Sequence, residues 1–225
     1  MTTRLTHRFS RATMPLLTAL ALLGVMPLTG CRNTDAIGSM EVIAMGSQPL
    51  LFAPAFSNAA YITREAEDSF WFSDVPLETL LEHDATAPLQ NGVFLHVQLV
   101  WIPLAGSTPV DATATNLVTR LIVVSAGEVG LYGGAGFARL KGERKSGPLQ
   151  LDVEGGTLTL LEKTAGFTDL LSPAGFSATL QAPCDNDNAT RWRRALSQFV
   201  TNAFGKSMWV DAREISRDSI ALSAR

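Results

Sequence analysis

Residues 93–102 read VFLHVQLVWI, and apolar side chains fall on both faces of any extended conformation of this segment. Successive side chains of a strand alternate between faces. Val93, Leu95, Val97, Leu99 and Trp101 therefore share one side, and Phe94, His96, Gln98, Val100 and Ile102 the other. An antiparallel strand with one wet face would alternate apolar with polar residues. This one predicts a central strand, covered on both sides, and so a sheet with packed material above and below it.

The strongest helical pattern supplies one cover. Between residues 189 and 204, Trp192, Ala195, Leu196, Phe199, Val200, Ala203 and Phe204 repeat at intervals of three and four. Asp185, Asp187 and Asn188 offer N-terminal caps, and Gly205 supplies the C′ position. A shorter helix is expected after Asp74, with Pro76 in its first turn and Leu77, Leu80 and Leu81 on one face.

The remaining segments read as strands and turns. Expected strands are 40–44, 69–73, 116–125, 129–132, 137–141, 176–181 and 208–210, with a hairpin of 149–153 and 157–161 turning at Gly155-Gly156. Asn91-Gly92 reads as a turn before the central strand. Residues 48–58 hold Pro49 and Pro54 and read as apolar coil packed on the core, and residues 167–171 as one helical turn stopped by Pro173. Strands, a helix, many hairpin-connected strands and a last helix argue for α+β, mainly an antiparallel β-sheet (sandwich or partial barrel) with the C-terminal amphipathic helix packed on it.

The N-terminus follows different rules. Arg4, Arg8 and Arg11 stand in a stretch without acids, and residues 12–28 are almost wholly apolar. That run is shorter than the ~20 residues of a spanning helix, and Pro15 and Pro27 interrupt it. Leu28-Thr29-Gly30-Cys31 ends it. This arrangement resembles the lipobox signal peptide of bacterial lipoproteins, and the resemblance covers residues 1–32 only. It implies cleavage before Cys31, acylation of Cys31 (palmitate among the chains), and permanent attachment to a membrane. By analogy with lipoprotein sorting, Arg32 in place of Asp implies the outer membrane, with the domain facing the periplasm. The expected organisation is a cleaved signal peptide at 1–30, lipidated Cys and tether at 31–39, one globular domain at 40–212, and a loosely held tail at 213–225.

Charge and cysteine bound the partners. The leader takes three of the 18 basic residues and none of the 21 acidic ones, which leaves the mature chain at −6. An acidic surface carries no electrostatic footprint for nucleic acid. The two cysteines are Cys31 and Cys184. With Cys31 acylated, no internal disulfide can form, and Cys184 is expected to be a buried thiol.

No motif for chemistry withstands inspection. Residues 130–136 (GLYGGAG) place Arg139 where a dinucleotide fingerprint needs its third glycine, so the glycines are expected to serve bulges or close backbone approach. Gly205-Lys206-Ser207 lacks a glycine at Val200, and Asp185-Asn186-Asp187 lacks the glycine and glutamate of a calcium loop at Thr190 and Leu196. The mature chain has two histidines, His83 and His96, and neither HExxH, CxxC, GxSxG nor SxxK. Neither cofactor nor metal is expected. Arg191, Arg193 and Arg194 open the last helix against its dipole, and pairing with Asp185 and Asp187 is expected to relieve them.

Two places are candidates for binding. The loop 103–115 is long for a compact domain, and Ser107, Thr108, Asp111, Thr113 and Thr115 give it hydroxyls and a carboxylate. His96 and Gln98 share a strand face, where His96 is expected to be a satisfied core histidine; the alternative is that the two line a cavity, if the sheet encloses one. The expected role is a lipid-anchored envelope domain that binds or scaffolds an envelope protein without catalysis. A sheet-based carrier of a small apolar ligand is one alternative, and a glycan hydrolase using paired carboxylates another.

Overall fold

Residues 91–99 form a strand buried at every position after the first. The computed structural model describes residues 37–46, 49–64, 67–82, 88–103 and 114–208. In chain order the elements are β1 (Gly38–Ala44), β2 (Leu51–Phe52), β3 (Asn58–Arg64), β4 (Glu67–Ser73), α1 (Leu77–Glu82), β5 (Asn91–Leu99), β6 (Leu117–Ser125), β7 (Glu128–Lys141), β8 (Leu149–Lys163), β9 (Ala174–Ala182) and α2 (Asn186–Phe204). Among the described residues the nine strands make one antiparallel sheet, ordered β2-β1-β9-β8-β7-β6-β5-β4-β3. The fold is a sheet-rich α+β half-barrel.

The curl of the sheet is fixed where β9 ends. Gln181 N–H donates to the Ile37 carbonyl at 2.6 Å, the last bond of the β1–β9 edge. Two residues on, Tyr61 N–H donates to Pro183 O at 3.0 Å and Asp185 N–H donates to Tyr61 O at 3.1 Å. The edge that begins with β1 is thus completed by β3, the strand at the far end of the order.

Each face of the sheet has its own core. The concave face gathers Val42, Phe70, Phe72, Leu95, Val97, Leu121, Tyr132, Leu151 and Phe176, with Phe56 inserted from the segment between β2 and β3. The outer face of β3 to β7 presents Trp71, Phe94, Ile122, Val124 and Leu131 to the α2 stripe of Trp192, Ala195, Leu196, Phe199 and Val200. Each large side chain of that stripe contributes about 1.5–3 kcal/mol by leaving water. Asp185 caps the helix by accepting from Asn188 N–H at 2.9 Å, and Gly205 ends it at φ 69°.

Several local expectations are corrected. The supposed hairpin at Gly155-Gly156 is one continuous strand, β8, with a register shift between Val153 and Gly156. The pieces 129–132 and 137–141 are likewise one strand, β7. At Gly134 a Cβ would lie 1.6 Å from the Thr157 carbonyl oxygen, so the glycine tract lets two bent strands touch, the close approach its composition implied. Asn91 and Gly92 already belong to β5, which ends at Leu99 and not Ile102; Val100 is exposed. The turn expected from sequence at 126–128, between strands 116–125 and 129–132, is present at Ala126-Gly127, with φ of 52° and 81°.

Asp74 does not cap α1. Its carboxylate accepts from Val93 N–H at 2.7 Å and fixes the helix entry to β5 instead. Leu77 and Leu80 are buried, while Leu81 is exposed because so short a helix has only one covered edge. Strand β3 carries no clean alternation and was not foreseen. Strand β1 begins at Gly38, two residues before the expected start at Met40. Met208 is outside any strand, and residues 209–225 and 1–36 lie outside the described residues. Arg191 pairs with Glu78 of α1 at 3.5 Å, not with Asp185 or Asp187; both side chains are largely exposed, so the pair is worth little.

Candidate functional site

The two ends of the half-barrel differ. At the end where β7 turns into β8, the connection folds over the concave core: Tyr61 Oη donates to Gly147 O at 2.7 Å, and Arg144 grips buried Asp68. Burial, and then the adjacent Cys184 thiol, push the Tyr61 hydroxyl up to about 12, so it stays a donor. Cys184 itself is half-buried against that core rather than fully enclosed.

At the opposite end the core is open. A cleft of about 360 Å³ lies between β2, the β6–β7 hairpin and the connection from β8 to β9. That volume falls within the ordinary range of small-ligand sites. Val123, Tyr132 and Phe167 line it, together with Leu50, Phe52, Leu170 and Leu171. Ser125, Glu128 and Thr168 are its polar lining. Leu50 is 41% and Leu170 64% exposed, which leaves apolar surface at the cleft without a cover.

One wall is firmly built. Thr164 N–H donates to Val129 O at 2.9 Å, Phe167 N–H to Thr164 O at 3.1 Å, and Lys163 Nζ to Phe167 O at 3.0 Å. Asp169 Oδ1 accepts from the Tyr132 hydroxyl at 2.9 Å and from the amides of Leu171 and Ser172 at 3.1 and 3.0 Å. Burial and the Asp169 carboxylate both raise the Tyr132 pKa, which holds its proton on the shared bond. These bonds explain why residues 167–171 are not a helical turn: the Asp169 side chain takes amides that a helix would pair with carbonyls. Phe167 and Leu171 are buried as a result.

The residues singled out from sequence lie elsewhere. His96 and Gln98 are buried on the outer face of β5, the face turned to α2, and not in the cleft. Strand parity forces this, because Val93, Leu95, Val97 and Leu99 point into the concave core. The His96 ring sits 5.0 Å from that of Trp71. Burial foremost, then the charges of Arg120 and Arg193, lower its pKa to about 3, so the imidazole is neutral. Thr115 is exposed and its carbonyl accepts from Trp101 Nε1 at 3.0 Å, beside the start of β6 and away from the cleft at that strand's other end. Cys31, His83, Ser107, Thr108, Asp111 and Thr113 lie outside the described residues.

The cleft's own residues were only half visible. Leu50 and Phe52 sit in the Pro-bounded apolar segment that the sequence marks as packed on the core. Phe167, Leu170 and Leu171 stand in a mixed segment, FTDLL, between two strands, and no periodicity says which of them faces a cavity. Among the described residues no three His, Cys, Asp or Glu side chains cluster as metal ligands, and no helix is long and apolar enough to cross a membrane. Comparison with protein-family models, with curated proteins and with solved structures found no match.

Proposed function

We propose that this chain is a lipid-anchored protein of the cell envelope, held at the outer membrane through Cys31 and facing the periplasm, whose half-barrel carries a small apolar ligand. The cleft at the open end supports the carrier reading. It is a concavity of ligand size, continuous with the concave core, and it leaves Leu50 and Leu170 wet. A purely structural half-barrel gains stability by filling such a space with its own side chains. The anchor rests on the leader's resemblance to the lipobox. Binding without covalent chemistry fits a lining of aliphatic and aromatic side chains with few polar groups.

Two measurements test the halves separately. Cys31→Ser should abolish incorporation of labelled palmitate; equal labelling of the variant would overturn the anchor. Native mass spectrometry of the protein released from its envelope should show an apolar adduct that Val123→Phe, which fills the cleft, removes. An adduct retained in that variant would place the ligand elsewhere and defeat the carrier reading.

A further inference from the structure

Among the described residues that line the cleft, Glu128 is the only one that bears a charge. It is half-buried beside exposed Ser125 and Ala126, and so stands where the apolar pocket meets water. Its Oε2 accepts from the Thr164 hydroxyl and from Gly166 N–H at 3.1 Å, while among the described residues no hydrogen bond reaches Oε1. A carboxylate fixed through one oxygen presents the other in a set direction. Among the described residues no cation is ion-paired with it. Lys163 is exposed with its Nζ on the Phe167 carbonyl, and Asp169, a second acid, is held by Tyr132 and two amides.

We infer that the cleft takes an amphiphile with one apolar chain and a protonated amine head, the chain against Phe52, Val123 and Phe167 and the ammonium against Glu128. This rests on the carrier reading and adds the head group to it. At ~30 Å³ for each water-sized group, the cleft holds a chain of about a dozen heavy atoms. An ammonium at Glu128 makes a charge-assisted hydrogen bond in a partly dry site. A fatty carboxylate of the same length would set like charges together. The acidic mature chain, at −6, favours the same sign of ligand from a distance.

The test uses the full chain in lipid nanodiscs and three photoprobes with a terminal diazirine: dodecylamine, dodecanol and dodecanoate. Adducts are mapped by mass spectrometry, so partition into lipid does not count as binding. Dodecylamine should label the cleft segments at roughly tenfold lower concentration than dodecanol, and dodecanoate least of all. Glu128→Gln, which keeps an acceptor for Thr164 and Gly166, should bring dodecylamine to the level of dodecanol. Dodecanoate labelling as well as dodecylamine, or a Gln variant with unchanged amine preference, overturns the inference while the carrier reading stands. The comparison of head groups in the unmodified protein decides the question even if the variant fails to fold. If none of the probes labels the cleft, or Val123→Phe leaves labelling unchanged, the carrier reading fails first and takes the inference with it.

Discussion

Arg144 holds Asp68 through two hydrogen bonds, Nε to Oδ2 at 2.9 Å and Nη2 to Oδ1 at 2.8 Å, across 76 residues of sequence. The carboxylate is wholly buried and the guanidinium one-third exposed. The pair ties the β7–β8 connection to β4, near the opposite edge of the sheet. Removing one partner leaves a buried charge alone, a loss of about 3–5 kcal/mol in comparable pairs. Arg144→Ala should therefore lose about that much in urea unfolding. The double variant Asp68→Leu, Arg144→Met should recover most of it; a double variant as weak as the single one would show that the contact is irreplaceable by packing.

His96 should make the protein acid-sensitive. Its pKa is about 3 in the folded chain, against 6.5 when unfolded, so folding excludes a proton. The unfolded state binds more protons below about pH 6.5, and stability falls as pH drops from there towards 3. The slope from this one group approaches 1.36 kcal/mol per pH unit. His96→Gln should flatten the stability profile between those limits. Identical profiles for the two proteins would mean that the imidazole takes up its proton while folded.

Glycine positions separate by what lies above them. At Gly134 an added Cβ would meet the Thr157 carbonyl oxygen at 1.6 Å, a backbone atom that cannot turn aside. At Gly147 nothing lies within 4 Å. Gly134→Ala should cost about 3 kcal/mol or more, the upper range of overpacking. Gly147→Ala should stay within about 0.5 kcal/mol of wild type. Thermal melts of the two variants give the comparison directly, and similar losses would show that the β7–β8 approach relaxes freely.

Phe199 joins the last helix to the sheet. It is buried, with its ring 6.1 Å from that of Phe94 on β5. Phe199→Ala should destabilise by about 3–5 kcal/mol. An unchanged melting temperature would mean that the stripe does not hold the helix on the sheet.

The last helix and the central strand were legible because each is a long segment with one period and an unambiguous cap or flank. The α2 stripe and both faces of β5 are where the pattern puts them. Misreadings came where one signal has two physical meanings. Gly155-Gly156 is as compatible with a bulge in a long strand as with a hairpin turn, and only the partner strand β9 decides between them. His96 and Gln98 could face a cavity or a helix, because both faces of their strand are apolar and the direction of sheet curvature is a property of nine strands together. The cleft was least legible. It is a space left between a two-residue strand, a hairpin and a pinned connection, and each contributes side chains that read as ordinary core.

The meeting of β3 with Pro183 and Asp185 also bears on how the molecule behaves among its neighbours. An open sheet offers two unpaired edges, each a template on which another chain can add a strand. Here one edge is engaged by the backbone that follows β9, and the other is β2, only two residues long. The part of β1 beyond β2 carries Glu41 and starts at Gly38, whose φ of 119° departs from strand geometry. A wide sheet thus presents little straight backbone to a second copy. Among the described residues, the closure that shapes the half-barrel also leaves little edge on which copies could pair and aggregate.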